Sequence, residues 1–138
     1  MKLAIVGSRA YNNCAKIRIF IEKYVGFYGA ANLEIISGGC PHGADAIAKK
    51  LALEMGLKYI EFPPIHSKHN SYCVNPPESY NKPYHVSNYF ARNSEIAQYC
   101  EHLVAFIVEG IKASGTMDTF GKATKLKKHC FLFEDKKC

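Results

Sequence analysis

Hydrophobic positions along the chain follow two alternating patterns. Short apolar runs, "KLAIV" (2–6), "LEII" (33–36), "KYIEF" (58–62), "HLVAFIV" (102–108) and "CFLFE" (130–134), have the length and composition of buried strands. Between them apolar residues recur at helical spacing. Ile17, Phe20, Ile21, Tyr24, Val25 and Tyr28 form one stripe over 14–28. Ala44, Ile47, Ala48, Leu51 and Met55 form a second, stopped by Gly56. A third helix starts near Ser87 with Tyr89, Ile96, Ala97 and Cys100 inward, and 116–128 reads as a weaker helix interrupted by Gly121.

This alternation predicts an α/β fold with a parallel sheet of about five strands and helices on both faces. Placing the two most apolar strands, the first and fourth, in the middle gives the order 3-2-1-4-5 under right-handed crossovers. Ligands of such open sheets bind where the strand order reverses, here between strands one and four. One segment interrupts the pattern. Residues 63–86, "PPIHSKHNSYCVNPPESYNKPYHV", exceed a normal connector and are rich in Pro, Tyr and His. Aromatics at that density predict a lid or an oligomer contact rather than a mobile linker.

Composition narrows the class. The 138 residues suit one domain over 1–138, and 48% hydrophobic content excludes a disordered chain. No apolar run approaches the ~20 residues of a membrane span. The opening "MKLAIVGSRAYNN" reads as a strand rather than an export signal, so a cytoplasmic location is expected. Cys14, Cys40, Cys73, Cys100, Cys130 and Cys138 form no C-x-x-C pair and no zinc-type spacing with His. Free thiols follow, with no metal and no bound cofactor expected, and Cys100 and Cys130 packing as small hydrophobes. The net charge of +6 favours an anionic partner, although much of the excess lies in "GKATKLKKH" and the terminal "KKC".

Three loops at the carboxyl ends of strands carry the chemistry: "GSRAYNN" (7–13), "SGGCPHGAD" (37–45) and "EGIKASGTMD" (109–118). Each feeds a helix N-terminus, where unpaired N–H groups attract anions. Gly38 and Gly39 would admit phosphate oxygens to the backbone, and Gly43 would let the second helix pack closely. The bland alternative is that a β-to-α turn needs small residues in any case. Neither the G-x-x-x-x-G-K-[ST] nor the G-x-G-x-x-G phosphate motif occurs. Arg92 borders the buried face of the third helix, placed either to fork onto a phosphate or to form an internal salt bridge. Asp45 either stabilises its helix dipole or accepts ribose hydroxyls. Asp118 would repel an anion, which predicts sugar or base rather than phosphate beside Ser114, Gly115 and Thr116.

"GSR", "SGGCPHGAD", "YFARNSEIAQYCEHLVAF" and "SGTMDT", in that order, resemble the SLOG superfamily. That superfamily unites the DprA/Smf proteins, the LOG ("lonely guy") phosphoribohydrolases and the YpsA/YspA-like proteins, with the small YspA-like proteins of bacteria, archaea and phages as the nearest branch. The resemblance covers nearly the whole chain outside 63–86. It implies a Rossmann-like fold binding a nucleotide or nucleotide derivative, of the ADP-ribose or cyclic-nucleotide type, as a sensor or sponge such as serves antiphage defence. It also implies a dimer or larger homo-oligomer. It carries Gly7, Ser8, Arg9, Ser37, Gly38, Gly39, Gly43, Asp45, Arg92, Asn93, Gly115 and Thr116 onto the ligand site, and the adjoining Ser114 is placed with them.

Two other readings stand beside it. One is LOG-like release of a base from a nucleoside 5′-monophosphate. The LOG pattern P-G-G-x-G-T-x-x-E puts a catalytic glutamate where this chain has Thr119, so Asp45, Asp118 or Glu95 would have to serve. The other is a DprA-like nucleic-acid partner, disfavoured because basic residues and aromatics do not interleave along one groove.

Overall fold

The computed structural model describes residues 1–136. Five parallel strands, β1 (Lys2–Gly7), β2 (Glu34–Ser37), β3 (Lys58–Glu61), β4 (His102–Val108) and β5 (His129–Asp135), form one sheet in the order β3-β2-β1-β4-β5. The apolar ranking of the strands decides this order. β1 and β4, in the middle, bury Leu3, Ala4, Ile5, Leu103, Val104, Ala105 and Phe106 completely. Their register runs from Leu3 opposite His102 to Gly7 opposite Phe106. This is a Rossmann-like α/β domain.

Four helices cover the two faces: α1 (Cys14–Tyr28) and α2 (Gly43–Glu54) on one, α3 (Ser87–Tyr99) and α4 (Ser114–Lys125) on the other. Ile17, Ile21 and Tyr24 of α1 join Ala44, Ala48 and Leu51 of α2 in one core; Ile96, Ala97 and Ala123 anchor the second. Local signals set the ends. The Asn13 side chain accepts from the Lys16 amide at 3.1 Å to cap α1, and Gly29 (φ +84°) closes it. Gly56 ends the turn after α2 in the left-handed region at φ +68°.

Three details differ from the sequence expectation. α4 begins at Ser114 and runs through Gly121 without a break. The roughly 1 kcal/mol that a mid-helix glycine costs is offset by the packing of Thr119 and Ala123, both buried. Tyr28, the last residue of α1, is exposed. In α3 the buried residue of the first turn is Asn88, with Tyr89 only half-buried.

The 63–86 segment is tied down at several points. Cys73 bridges to Glu61 on the outer edge of β3, and the Glu61 amide donates to Tyr72 O at 3.0 Å. Tyr72 packs on the α1–α2 core and Tyr80 is buried. The Asn81 and Lys82 amides donate back to Ser67 O and Ile65 O at 2.9 and 3.0 Å.

Cys14, Cys40, Cys73, Cys100 and Cys130 are free thiols; Cys100 is buried and Cys130 half-buried, whereas Cys138 lies outside the described residues. Among the described residues no helix is long and apolar enough to cross a membrane.

Candidate functional site

The loops after β1, β2 and β4 meet α3 around a cavity of about 560 Å³ at the carboxyl edge of the sheet, a volume typical of small-molecule sites. Its position is the predicted switch point between β1 and β4.

The first loop is packed from below. A side chain at Gly7 would strike the Phe106 carbonyl and Ala44 Cβ, so β1, β4 and α2 converge there only because Gly7 has none. Ser8 is buried: its amide donates to Phe106 O at 3.0 Å, its hydroxyl accepts from the Ala10 amide at 3.1 Å, and its carbonyl accepts from the Ala44 amide at 3.3 Å. Arg9, next in the chain, is exposed at the cavity mouth.

The second loop holds its own anion. Asp45, in the first turn of α2, folds back so that one carboxylate oxygen accepts from the Cys40 amide at 3.3 Å. The Gly39 amide is taken by Ser37 Oγ at 3.2 Å. Asp45 is 8% exposed. Burial pushes its pKa up to about 6, against the opposing pull of the Arg92 guanidinium and the Cys40 and Gly38 N–H groups.

The glycines of this loop therefore make room for the protein's own groups. A Cβ on Gly38 would collide with the Arg92 guanidinium and lie 2.9 Å from Asp45 Oδ2. Gly39, at φ +76°, faces the Glu61 carboxylate, whose Cδ would be 3.0 Å from a Cβ. A Cβ on Gly43, at φ +71°, would strike the Ser8 carbonyl and lie 2.6 Å from Arg9 Cα, which is the close helix packing anticipated for it. Asp45, Arg92 and Glu61 thus account for the absence of side chains at Gly38 and Gly39 without a ligand; Gly38 still lines the cavity, and Gly39 does not.

Behind the loop runs a buried relay of hydrogen bonds. The Gly39 amide donates to Ser37 Oγ. The Ser37 hydroxyl donates to Tyr59 Oη at 2.6 Å, and the Tyr59 hydroxyl to Glu61 Oε2 at 2.6 Å. The donor order follows because a carboxylate only accepts. Burial, with Glu61 alongside, raises the Tyr59 pKa well above its usual value. Asn70 of the 63–86 segment donates to the other Glu61 oxygen, and Lys49 Nζ lies 3.5 Å from Oε2. Glu61, only 2% exposed, thus ties that segment to the second loop.

From α3, Arg92 Nη1 donates to Gly38 O at 2.7 Å and Phe62 O at 3.4 Å, and Nε to Asn93 Oδ1 at 3.1 Å. Burial lowers the guanidinium pKa and Asp45 opposes that shift. Asn93 Nδ2 reaches Asp118 Oδ2 at 3.1 Å and Gly115 O at 3.4 Å. Asp118 also pairs with Lys122 at 2.9 Å. Its charge is neutralised outside the cavity lining, which removes the reason to bar phosphate from the Ser114–Thr116 turn. Thr119 lines the cavity, but its hydroxyl donates to Gly115 O at 3.1 Å within its own helix. Glu95 accepts from Asn75 at 2.8 Å and is not in the lining.

Of the residues singled out from the sequence, Gly7, Ser8, Arg9, Gly38, Asp45, Arg92, Asn93, Ser114, Gly115 and Thr116 line the cavity. Ser37, Gly39, Gly43 and Asp118 are not part of the lining. Sequence reasoning missed Cys40, Val86, Phe90, Ile111 and Lys112, and read Tyr89 only as core. Phe90 and Val86 fall off the apolar stripe of α3, an off-pattern exposure that could have flagged them. Lys112 is a cation within the third loop and was legible as such.

The lining holds three cations, Arg9, Arg92 and Lys112, and one carboxylate, Asp45. Arg9 and Lys112 make no ion pair among the described residues. No side chain caps the N-terminus of α4 beside them. Among the described residues no cluster of His, Cys, Asp or Glu is arranged to hold a metal ion. No protein-family model matches this chain, and no curated protein matches it by sequence.

Proposed function

We propose that the protein binds a nucleotide or nucleotide-derived anion in this cavity and retains it intact, as a sensor or sponge. The observation that carries the reading is the imbalance of charge in the lining: two mouth cations without ion-pair partners and a third at depth, against one carboxylate that burial biases toward its neutral form. The open N-terminus of α4 adds N–H donors on the side of Lys112. The cavity lies at the switch point where such sheets take nucleotides.

The decisive experiment is native mass spectrometry of the purified protein, followed by calorimetric titration with AMP, ADP, ADP-ribose, cyclic AMP, GDP and UDP. Binding of at least one in the micromolar range supports the reading, and binding of none rejects it.

One observation favours a second reading, N-glycosidic cleavage. Asp45 is a cavity carboxyl group with a pKa near neutrality, a property of general acids. Against it, no second carboxylate lines the cavity among the described residues, and Thr119 supplies no charge. Free base released from AMP, followed by chromatography, separates the two.

A further inference from the structure

The lining groups its chemistry by element. Arg9 and Lys112 come from the loops after β1 and β4. Val86, just before α3, and Tyr89 and Phe90 in its first turn are all uncharged. We propose that these three residues form the base-binding wall of the cavity, so that the aromatic base of a nucleotide lies on α3 and its phosphates face Arg9 and Lys112. This inference rests on the nucleotide reading above and adds the ligand's orientation and its need for a base.

Exposure is the first argument. Val86 and Phe90 are 55% and 49% exposed, yet both belong to the lining of a concave site. Two large apolar side chains left wet at one mouth gain by being covered with a flat apolar surface. A nucleobase offers such a surface, because every base has a π face and stacks on aromatic rings.

Rigidity is the second. The Tyr89 ring is braced edge-on by His66 and Tyr84 of the 63–86 segment, with centroids 5.1 and 6.3 Å away, and the Arg92 guanidinium lies 5.9 Å from its centroid. The backbone of Phe90 is fixed through its carbonyl, which accepts from Lys122 Nζ at 3.0 Å and Ser94 Oγ at 3.1 Å, and the same ammonium lies 5.6 Å from the centroid of the ring. A wall already ordered loses little entropy when a ligand stacks on it.

Charge is the third. The sequence placed sugar or base beside Ser114–Thr116 because of Asp118. That carboxylate is paired with Lys122 and turned to Asn93, so the Lys112 side is free for phosphate; Arg92, the one cation that α3 brings to the lining, is bonded to Gly38 O and Phe62 O, and the first turn of α3 is left for the base.

The test uses calorimetry with ADP, pyrophosphate and ribose 5-phosphate on the full chain. Phe90→Ala should weaken ADP binding about tenfold or more while leaving pyrophosphate affinity within about twofold, and Phe90→Trp should restore ADP binding. Lys112→Ala should weaken both ligands. Equal ADP affinity in the Phe90→Ala and unmutated proteins overturns the base wall and leaves the nucleotide reading intact. Parallel loss of ADP and pyrophosphate in Phe90→Ala, or ribose 5-phosphate binding as tightly as ADP to the unmutated protein, also overturns it. Failure of the unmutated protein to bind any nucleotide of the panel removes the nucleotide reading, and the base wall with it.

Discussion

Arg92 is the residue on which most of the site converges. Its guanidinium joins α3 to the second loop and to the end of β3 through Gly38 O and Phe62 O. Arg92→Ala should therefore reach beyond ligand affinity. Loss of a charge-assisted bond costs about 1.5–3 kcal/mol, and urea unfolding should show a drop of that size. Asp45 makes a different prediction. Its pKa of about 6 means that it gains a negative charge as pH rises through that value. Affinity for ADP-ribose, whose bridging pyrophosphate keeps its two charges throughout, should fall between pH 5 and pH 8. Asp45→Asn should flatten the profile in calorimetric titrations at each pH. A stability trend accompanies it: a carboxyl whose folded pKa is raised stabilises the fold fully below about 4, its ordinary unfolded value. That contribution is lost as pH rises through about 6. Melting temperatures between pH 4 and pH 7 should decline by more in the unmutated protein than in Asp45→Asn.

At the scale of elements, the second loop and the 63–86 segment behave as one unit through Glu61. Gly39→Val consequently acts on folding before it acts on ligand. It combines positive-φ strain of about 1–2 kcal/mol with contact against the Glu61 carboxylate, so the expected result is a destabilised protein with a loosened 63–86 segment. Gly43→Ala should cost more, about 2–5 kcal/mol, because its Cβ meets the Ser8–Arg9 backbone, which cannot swing aside. Chemical denaturation of the pair ranks them. Hydrogen exchange tests the anchor itself. The amides of Glu61, Asn81 and Lys82, bonded within or to the segment, should be protected without added ligand, and Asn70→Ala should raise exchange around Tyr72 and Cys73.

For the whole molecule, the surplus of positive charge at one cavity predicts binding that weakens with ionic strength, since Arg9 and Lys112 are exposed and screened by salt. Calorimetry between 50 and 300 mM salt, within about the range where screening lengths shorten through ~10 Å, should show a steady loss of affinity for ADP. Incubation with AMP for hours should release no appreciable adenine, because among the described residues Asp45 is the one carboxylate in the lining and the Thr119 hydroxyl there is spent on Gly115 O.

The architecture was readable from contiguous residues. Strand runs, helix stripes and the apolar ranking of β1 and β4 depend on local periodicity and burial demand, and these led to the parallel sheet and its order. The loops at the carboxyl edge were readable for the same reason, since their place follows from the topology. What surrounds each loop residue was settled only by tertiary packing. Gly39 is bare because of Glu61, Gly38 because of Arg92, and the Cys40 amide is occupied because Asp45 bends back onto it. Phe90 entered the cavity and Asp118 left it according to how α3 and α4 pair. Those outcomes join side chains far apart in the chain, and periodicity, being local, carries no information about which of them meet.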